Sequence, residues 1–422
     1  MAKVNKNKEG MIMKRVVITG MGVISPLGND VNSFWNQLIK GQSGISLIDY
    51  FDTTDYKTKI AGIVRDFDAD KILGRKEAKR LDRFSQFALA AAEQALENSQ
   101  LQLDQVDLER LGVYVGSGIG GIQSLVDQVN VLDKRGPSRV SPSLVPKMIS
   151  NAAAAQISIR LGAQGPSLSP VTACSIGNTS IGEAFNAIRN DDADIIFAGG
   201  AEAAISQISL ASFGNAHALS TRNQEPSLAS RPFDTDRDGF VMSEGAGILV
   251  LESLENAILR DAPILCEVVG YGASSDAHHM VASHPEGKGA YLAMKKALRS
   301  ANISTGEIDV ISAHATSTQV GDRSEVLAIK KLFGDRSGEI PTTANKSMTG
   351  HMFGAAGGVE AIALVESLRR GMIPPTINVE NQDPDCNLDV VLKARQLPLK
   401  YGLSNSFGFG GHNSAILLKH YD

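Results

Sequence analysis

The sequence predicts an α/β protein built as two halves on one plan. Three observations carry this expectation. Apolar, β-branched runs, among them RVVIT (Arg15–Thr19), LGVYVG (Leu111–Gly116), ADIIFAGG (Ala193–Gly200) and DVISAH (Asp309–His314), alternate with stretches of helical spacing. That alternation is the mark of parallel strands joined by crossover helices. The arrangement then repeats: VGSGIGG (Val115–Gly121) closes a strand and is followed by TACSIGNTSIGEAFNAI, a turn feeding a helix, while DVISAHATSTQVGD is followed by NKSMTGHMFGAAGGVEAIALV, another turn feeding a helix. Finally, ILCEVVGYG restarts a strand just after Ala262–Pro263. The halves are therefore placed at residues 14–262 and 263–422, their loop-to-helix turns facing across a pseudo-twofold axis.

Residues 1–13, MAKVNKNKEGMIM, are polar and lysine-bearing, lack the apolar centre of a secretory signal, and read as a disordered leader. A helix is expected over Ala78–Glu97, where Leu81, Phe84, Ala88, Ala91 and Ala95 recur at three- and four-residue steps. The basic cluster in GRKEAKRLDRF (Gly74–Phe84) would cap its first turns and face outward. GSGIGG (Gly116–Gly121) fits a dinucleotide fingerprint, yet no second strand with a ribose-binding acid follows at the required distance, so its glycines are read as allowing close backbone approach. DTDRDGFVMSEG (Asp234–Gly245) starts like a calcium loop, but its twelfth residue is Gly245, with Glu244 one short, and AGILVLE continues as a strand. It reads as a structural turn. His278, His279 and His284 lack helical ligand spacing with a helper carboxylate and are not read as a metal site.

Composition narrows the function. A chain of 422 residues with net charge −5 has no overall basic surface for nucleic acid, and no apolar run approaches a membrane span. Three dispersed cysteines, Cys174, Cys266 and Cys386, form neither a disulfide framework nor a CxxC pair, which fits a reducing cytoplasm.

One of those cysteines stands out. Ile181, Ala184, Phe185 and Ile188 form one face of a buried helix, which puts Cys174 at that helix's N-terminus. Unpaired N–H groups and the helix dipole there are expected to lower the thiol pKa below about 8.5. His314 closes a strand and His351 precedes the second half's equivalent helix. In α/β sheets, strand ends and helix starts are where ligand-binding loops converge.

TACSIGNTSIGEAFNAI with RNDDADIIFAGGAEA, SRPFDTDRDGFVMSEGAGILVLE, SAHATSTQVGD, NKSMTGHMFGAAGGVEAI and SNSFGFGGHN together resemble the 3-oxoacyl-acyl carrier protein synthases, most closely the bacterial synthase II type, from about Lys14 to the C-terminus. The resemblance implies the thiolase fold, a duplicated βα repeat in five layers α-β-α-β-α, usually as a homodimer. It implies a decarboxylating Claisen condensation in which Cys174 holds an acyl chain as a thioester and His314 and His351 donate to the enolate oxyanion. Lys346 would order the site, with Glu325 as its partner and Asp322 nearby. Backbone N–H groups of Cys174 and Phe409 would form a second oxyanion hole, and Phe409, freed by Gly408, Gly410 and Gly411, would gate the acyl pocket that Ile119 lines. Lys76, Lys79 and Arg80 match docking positions for the acidic acyl carrier protein, whose phosphopantetheine brings both acyl and malonyl groups, so that no metal or resident cofactor is implied.

Three departures from the family pattern touch pocket shape more than chemistry: Ser175-Ile176 after the nucleophile, Ala315 and Ser243. Rival readings fit less well. A biosynthetic thiolase needs a second reactive cysteine, but Cys386 sits in DPDCNLD, without a glycine loop. An initiating synthase would pair one histidine with an asparagine, and a non-catalytic heterodimer subunit would lack the nucleophile. A dedicated polyketide synthase keeps the same residues and remains open.

Overall fold

A computed structural model describes residues 13–422, so the expected leader lies outside the described residues but for Met13. In the first half, strands β1 (Val16–Ile24), β2 (Leu111–Gly116), β3 (Ser167–Leu168), β4 (Ile195–Glu202) and β5 (Gly245–Ser253) take the spatial order β3-β2-β4-β5-β1. In the second, β6 (Cys266–Ser275), β7 (Val310–Ser312), β8 (Thr342–Thr343), β9 (Tyr401–Gly408) and β10 (His412–Lys419) take the order β8-β7-β9-β10-β6. The two orders coincide, so the repeat read from the sequence is a repeat of topology. Ala262–Pro263 falls between the end of β5 and the start of β6.

The strands are not all parallel. β5 and β10 run against their neighbours β4 and β1, and β9 and β6. For β10 the cause is the connection: only Phe409–Gly411 separates it from β9, and so short a link permits a hairpin but no crossover. β1 and β6 pair antiparallel through Val16↔Val268, Val17↔Glu267 and Ile18↔Cys266, merging the halves into one ten-stranded sheet. Antiparallel pairing of equivalent strands is what a twofold between halves generates.

Helices α1 (Arg83–Ser99), α2 (Ala152–Leu161) and α3 (Ile176–Arg189) belong to the first half, and α4 (Lys288–Ala301), α5 (Gln319–Phe333) and α6 (Ala356–Arg370) to the second. Strand alternation sorts them into layers, because successive side chains point to opposite faces. On β4, Ile195 and Phe197 join Phe84, Ala88 and Ile157 of α1 and α2, while Ile196 and Ala198 join Ile181, Phe185 and Ile362 of α3 and α6. On β10, Ile416 and Leu418 face that same central layer, while Ala415 and Leu417 face Met294 and Ile329 of α4 and α5. The layers are therefore α-β-α-β-α, the thiolase arrangement. The four residues named as the buried face of α3 are all in the central core. α3 and α6 cross at glycine: a Cβ on Gly177 would lie 2.2 Å from the Gly358 nitrogen.

One boundary differs from expectation. α1 starts at Arg83 rather than near Ala78, because Asp82 adopts an extended conformation and its carboxylate caps the Phe84 N–H. The basic residues other than Arg83 thus sit ahead of α1, on the short helix Arg75–Ala78 and the turn after it. Among the described residues, no helix is long and apolar enough to cross a membrane.

Candidate active site

Between β3 and α3 the chain makes a tight turn, Ala173–Ser175, closed by Ser175, whose N–H and Oγ both donate to the Thr172 carbonyl at 3.1 and 2.8 Å. Ala173 has φ +51°. This places Cys174 at the start of α3, as its spacing predicts. The second half makes the same turn at Phe353–Ala355 ahead of α6, with Phe353 at φ +46° and Gly354 in the place of Cys174.

The two turns, with the ends of β7 and β9, enclose a cavity of about 700 Å³. Cys174, His314, His351, Ile119 and Phe409 all line it. The imidazole rings of His314 and His351 lie 5.5 Å apart, nearly perpendicular, and both are buried. Their Nδ1 atoms have no protein partner among the described residues. Burial first, then the positive charge of Lys346, holds both imidazoles well below 6.5, and His351 adds to the effect on His314. Both rings are therefore neutral at physiological pH and able to donate an N–H.

The thiol does not follow its expected direction. Burial pushes Cys174 up to about 12, and Glu202 adds to the rise; Lys346 and the N–H groups of Phe409 and Cys174 itself pull the other way. The helix-start donors are present as expected, but desolvation of the sulfur outweighs them.

Residues 13–257 match the family described as β-ketoacyl synthase, N-terminal domain, and residues 265–380 match its C-terminal domain. The chain belongs to the β-ketoacyl synthase family. It is a condensing enzyme that transfers acyl groups. The synthase is 47% identical over 409 residues to the 3-oxoacyl-[acyl-carrier-protein] synthase 2 of Synechocystis sp., covering 97% of this chain and 98% of that one. It is 46% identical over 410 residues to the protein of the same name from Staphylococcus aureus, covering 97% and 99%. Among solved structures, a β-ketoacyl synthase from Burkholderia phymatum superposes with a TM-score of 0.90 at 34% identity, over 97% of this chain and all of that one. A type II polyketide ketosynthase in complex with its acyl carrier protein and bound to a hexaketide gives the same score, identity and coverage.

The residues expected to support the synthase site are redistributed. Lys346, 1% exposed, pairs with Glu360 at 2.5 Å and not with Glu325. Glu360 projects from α6 toward the turn carrying Lys346, whereas Glu325 on α5 is already committed. Its carboxylate accepts from the N–H groups of His314 and Ala315 at 2.9 and 2.8 Å and from Asn405 Nδ2 at 2.9 Å. Glu325 thus fixes the backbone that carries His314. Asp322 is not beside Lys346 either; it accepts from the N–H groups of Ser317 and Phe233 and lies 3.6 Å from buried Arg237, bracing the loop after His314.

Sequence reasoning assigned no role to Glu202, Glu360, Asn405 or Phe353. Glu202, at the end of β4, is fully buried and accepts from Ser117 Oγ and from the N–H groups of Gly118, Ile119 and Gly354. Gly118 of GSGIGG serves this contact, since a Cβ there would sit 2.9 Å from Glu202 Oε2. For Glu360, a lone carboxylate inside the apolar run AAGGVEAIALV was the available signal.

Phe409 is 37% exposed at the cavity mouth, and Gly410 and Gly411 have φ of +80° and +76°, in the region that favours glycine. Gly410 donates its N–H to the Met280 carbonyl at 2.6 Å, tying this turn to the loop after β6. A side chain on Gly408 would meet the Cys174 nitrogen at 2.9 Å. Ser175, Ile176, Ala315 and Ser243 do not line the cavity, so these departures leave its walls untouched. Asp234 accepts from the Asp236, Glu380 and Asn381 N–H groups and from Arg231, which makes DTDRDG a structural turn. The Nδ1 atoms of His279 and His284 accept from N–H groups of their own loop.

Lys76, Lys79 and Arg80 are exposed and make no ion pair among the described residues. Arg83, in the same cluster, is instead held by Glu244 at 2.8 Å and lies over the Phe87 ring.

Proposed function

We infer that this synthase catalyses the elongation step of type II fatty acid synthesis, condensing a Cys174-bound acyl chain with a malonyl group on acyl carrier protein. One observation carries the reading: a cysteine at a helix start from the first half shares a cavity with two neutral imidazoles from the second. Cys174 sulfur attacks the acyl thioester, the carrier thiol leaves with the proton, and the N–H groups of Cys174 and Phe409 hold the intermediate's oxyanion. The malonyl thioester then loses carbon dioxide. His314 and His351 donate to the enolate oxygen, the enolate carbon attacks the acyl carbonyl, and the Cys174 sulfur departs, leaving a 3-oxoacyl carrier longer by two carbons. Burial, reinforced by the charge of Lys346, keeps the imidazoles uncharged, so that each donates an N–H to the anion.

The partner delivering both groups is an acidic acyl carrier protein. Lys76, Lys79 and Arg80 are its docking residues, supported by their exposure and freedom from ion pairs on a chain of net charge −5. The substrates bring their own phosphopantetheine, so the reaction needs no resident cofactor. We place the enzyme in the cytoplasm, in line with its three free buried cysteines, and assign it a homodimer. Support for the dimer is the exposed apolar series Leu125, Val129, Leu132, Val145, Leu168 and Val171, beside the sheet edge at β3.

A polyketide role is favoured by a structural neighbour at 34% identity, whereas relatives named for 3-oxoacyl-carrier synthesis reach 47%. Incubation with acyl- and malonyl-loaded carrier tests the reading. It predicts carbon dioxide and a 3-oxoacyl carrier in equal amounts; decarboxylation without a lengthened product refutes it.

A further inference from the structure

Cys174 belongs to an apolar cluster separate from the cores between the layers. Loops and turns build most of it: Ile48, Ile63, Ile205, Leu210, Met242 and Phe353. The cavity borders this cluster at Phe213, Phe240 and Phe353, whereas Val281 and Val320 of its lining are exposed. Phe353 is 5% exposed. Its ring stacks on Phe213 at 5.4 Å, meets Phe240 edge-on at 5.7 Å and lies 5.0 Å from the His351 ring.

The backbone under this ring is unusual. A φ of +46° is rare for a bulky aromatic residue and persists only where the surroundings over-determine it. The turn itself does not require an aromatic. In the matching turn of the first half, Ala173 takes φ +51° at the same place with no ring. What holds Phe353 is Glu202, which accepts the Gly354 N–H at 3.1 Å and also the Ile119 N–H at 3.1 Å. One buried carboxylate thus anchors two cavity walls from opposite halves.

We propose that Phe353 sets the acyl length this synthase accepts, its ring closing the inner end of the Cys174 cavity against the loop-built apolar cluster. The proposal rests on the condensing function above. An acyl tail longer than the cavity must displace this ring before it reaches Ile205, Leu210 and Met242. Removing the ring opens that volume, and a difference of a methylene in an apolar pocket is worth roughly 10- to 200-fold in kcat/KM.

The test compares acylation of Cys174 by hexanoyl- and hexadecanoyl-loaded carrier in the wild type, Phe353→Ala and Phe353→Trp. The expected result is a hexadecanoyl-to-hexanoyl ratio of kcat/KM raised by about 10-fold or more in the alanine variant and lowered in the tryptophan variant. Phe353→Gly also relieves the positive φ, and Phe353→Leu retains an apolar side chain, so these two carry the test if alanine fails to fold; both should raise the ratio. Unchanged ratios in variants that still accept hexanoyl overturn the proposal alone. A wild type that takes up neither donor overturns the condensing function and the proposal together.

Discussion

Lys346→Met is the substitution whose consequences the structure specifies most fully. Lys346 Nζ and Glu360 Oε1 lie 2.5 Å apart, at 1% and 2% exposure. At an effective dielectric of about 20 their Coulombic attraction is about 7 kcal/mol, largely offset by the cost of desolvating both charges. Removing one partner strands the other, and such losses are roughly 3–5 kcal/mol. Burial already raises the Glu360 carboxyl above its ordinary range, with Lys346 pulling it down; without the lysine it rises further. The ionised carboxylate carries the cost, so the variant's deficit is full above that raised value and fades as pH falls through it. Urea melts of wild type, Lys346→Met, Lys346→Met/Glu360→Gln and Lys346→Met/Glu325→Gln, at about pH 8.5 and about pH 5.5, give the answer. The Glu360 double variant should recover most of the loss at high pH and the Glu325 one should not. A deficit independent of pH, or recovery through Glu325, refutes the assignment. A second signature lies in the rate profile: loss of the lysine charge lets both imidazoles rise toward 6.5, so the acidic limb of malonyl decarboxylation moves to higher pH.

Further outcomes follow from the same geometry. His314→Ala and His351→Ala should each slow malonyl decarboxylation on the order of 100- to 1,000-fold while acyl transfer to Cys174 falls far less; equal loss of both steps contradicts the division of roles. Reversing Lys76, Lys79 and Arg80 to glutamate should raise KM for the loaded carrier roughly 10-fold with kcat nearly unchanged, and steady-state kinetics at two salt concentrations checks it. Gly177→Ala sets a methyl group 2.2 Å from the Gly358 nitrogen and should cost roughly 1–3 kcal/mol in a urea melt, whereas alanine at exposed Gly338, where a Cβ meets open space, should cost less.

Much of this was legible in the sequence because the repeat is carried by strong local signals. LGVYVG was placed to the residue as β2, and the buried face of α3 was read from its spacing. Strand direction at β10 was not legible from a β-branched run; it depends on how short a connection the GFGG turn makes. The start of α1 moved because a single aspartate outcompeted a continuous periodic pattern. At the site, residues that line one cavity were named, but the carboxylates behind them were misassigned. The family resemblance paired Glu325 with Lys346, while the folded chain brings Glu360 from the central helix. Glu202 escaped notice because its four donors come from segments of both halves. The thiol was misjudged for a related reason: a helix start is visible in sequence, but the desolvation that outweighs it depends on every wall of the cavity.

The account turns on where the acyl group goes. Intact-mass measurement after incubation with hexanoyl carrier, followed by fragmentation to locate the added mass, should give one hexanoyl group per chain, on Cys174, and none in Cys174→Ala. Stable acylation at Cys266, Cys386 or any other residue, or an unmodified wild type, contradicts it.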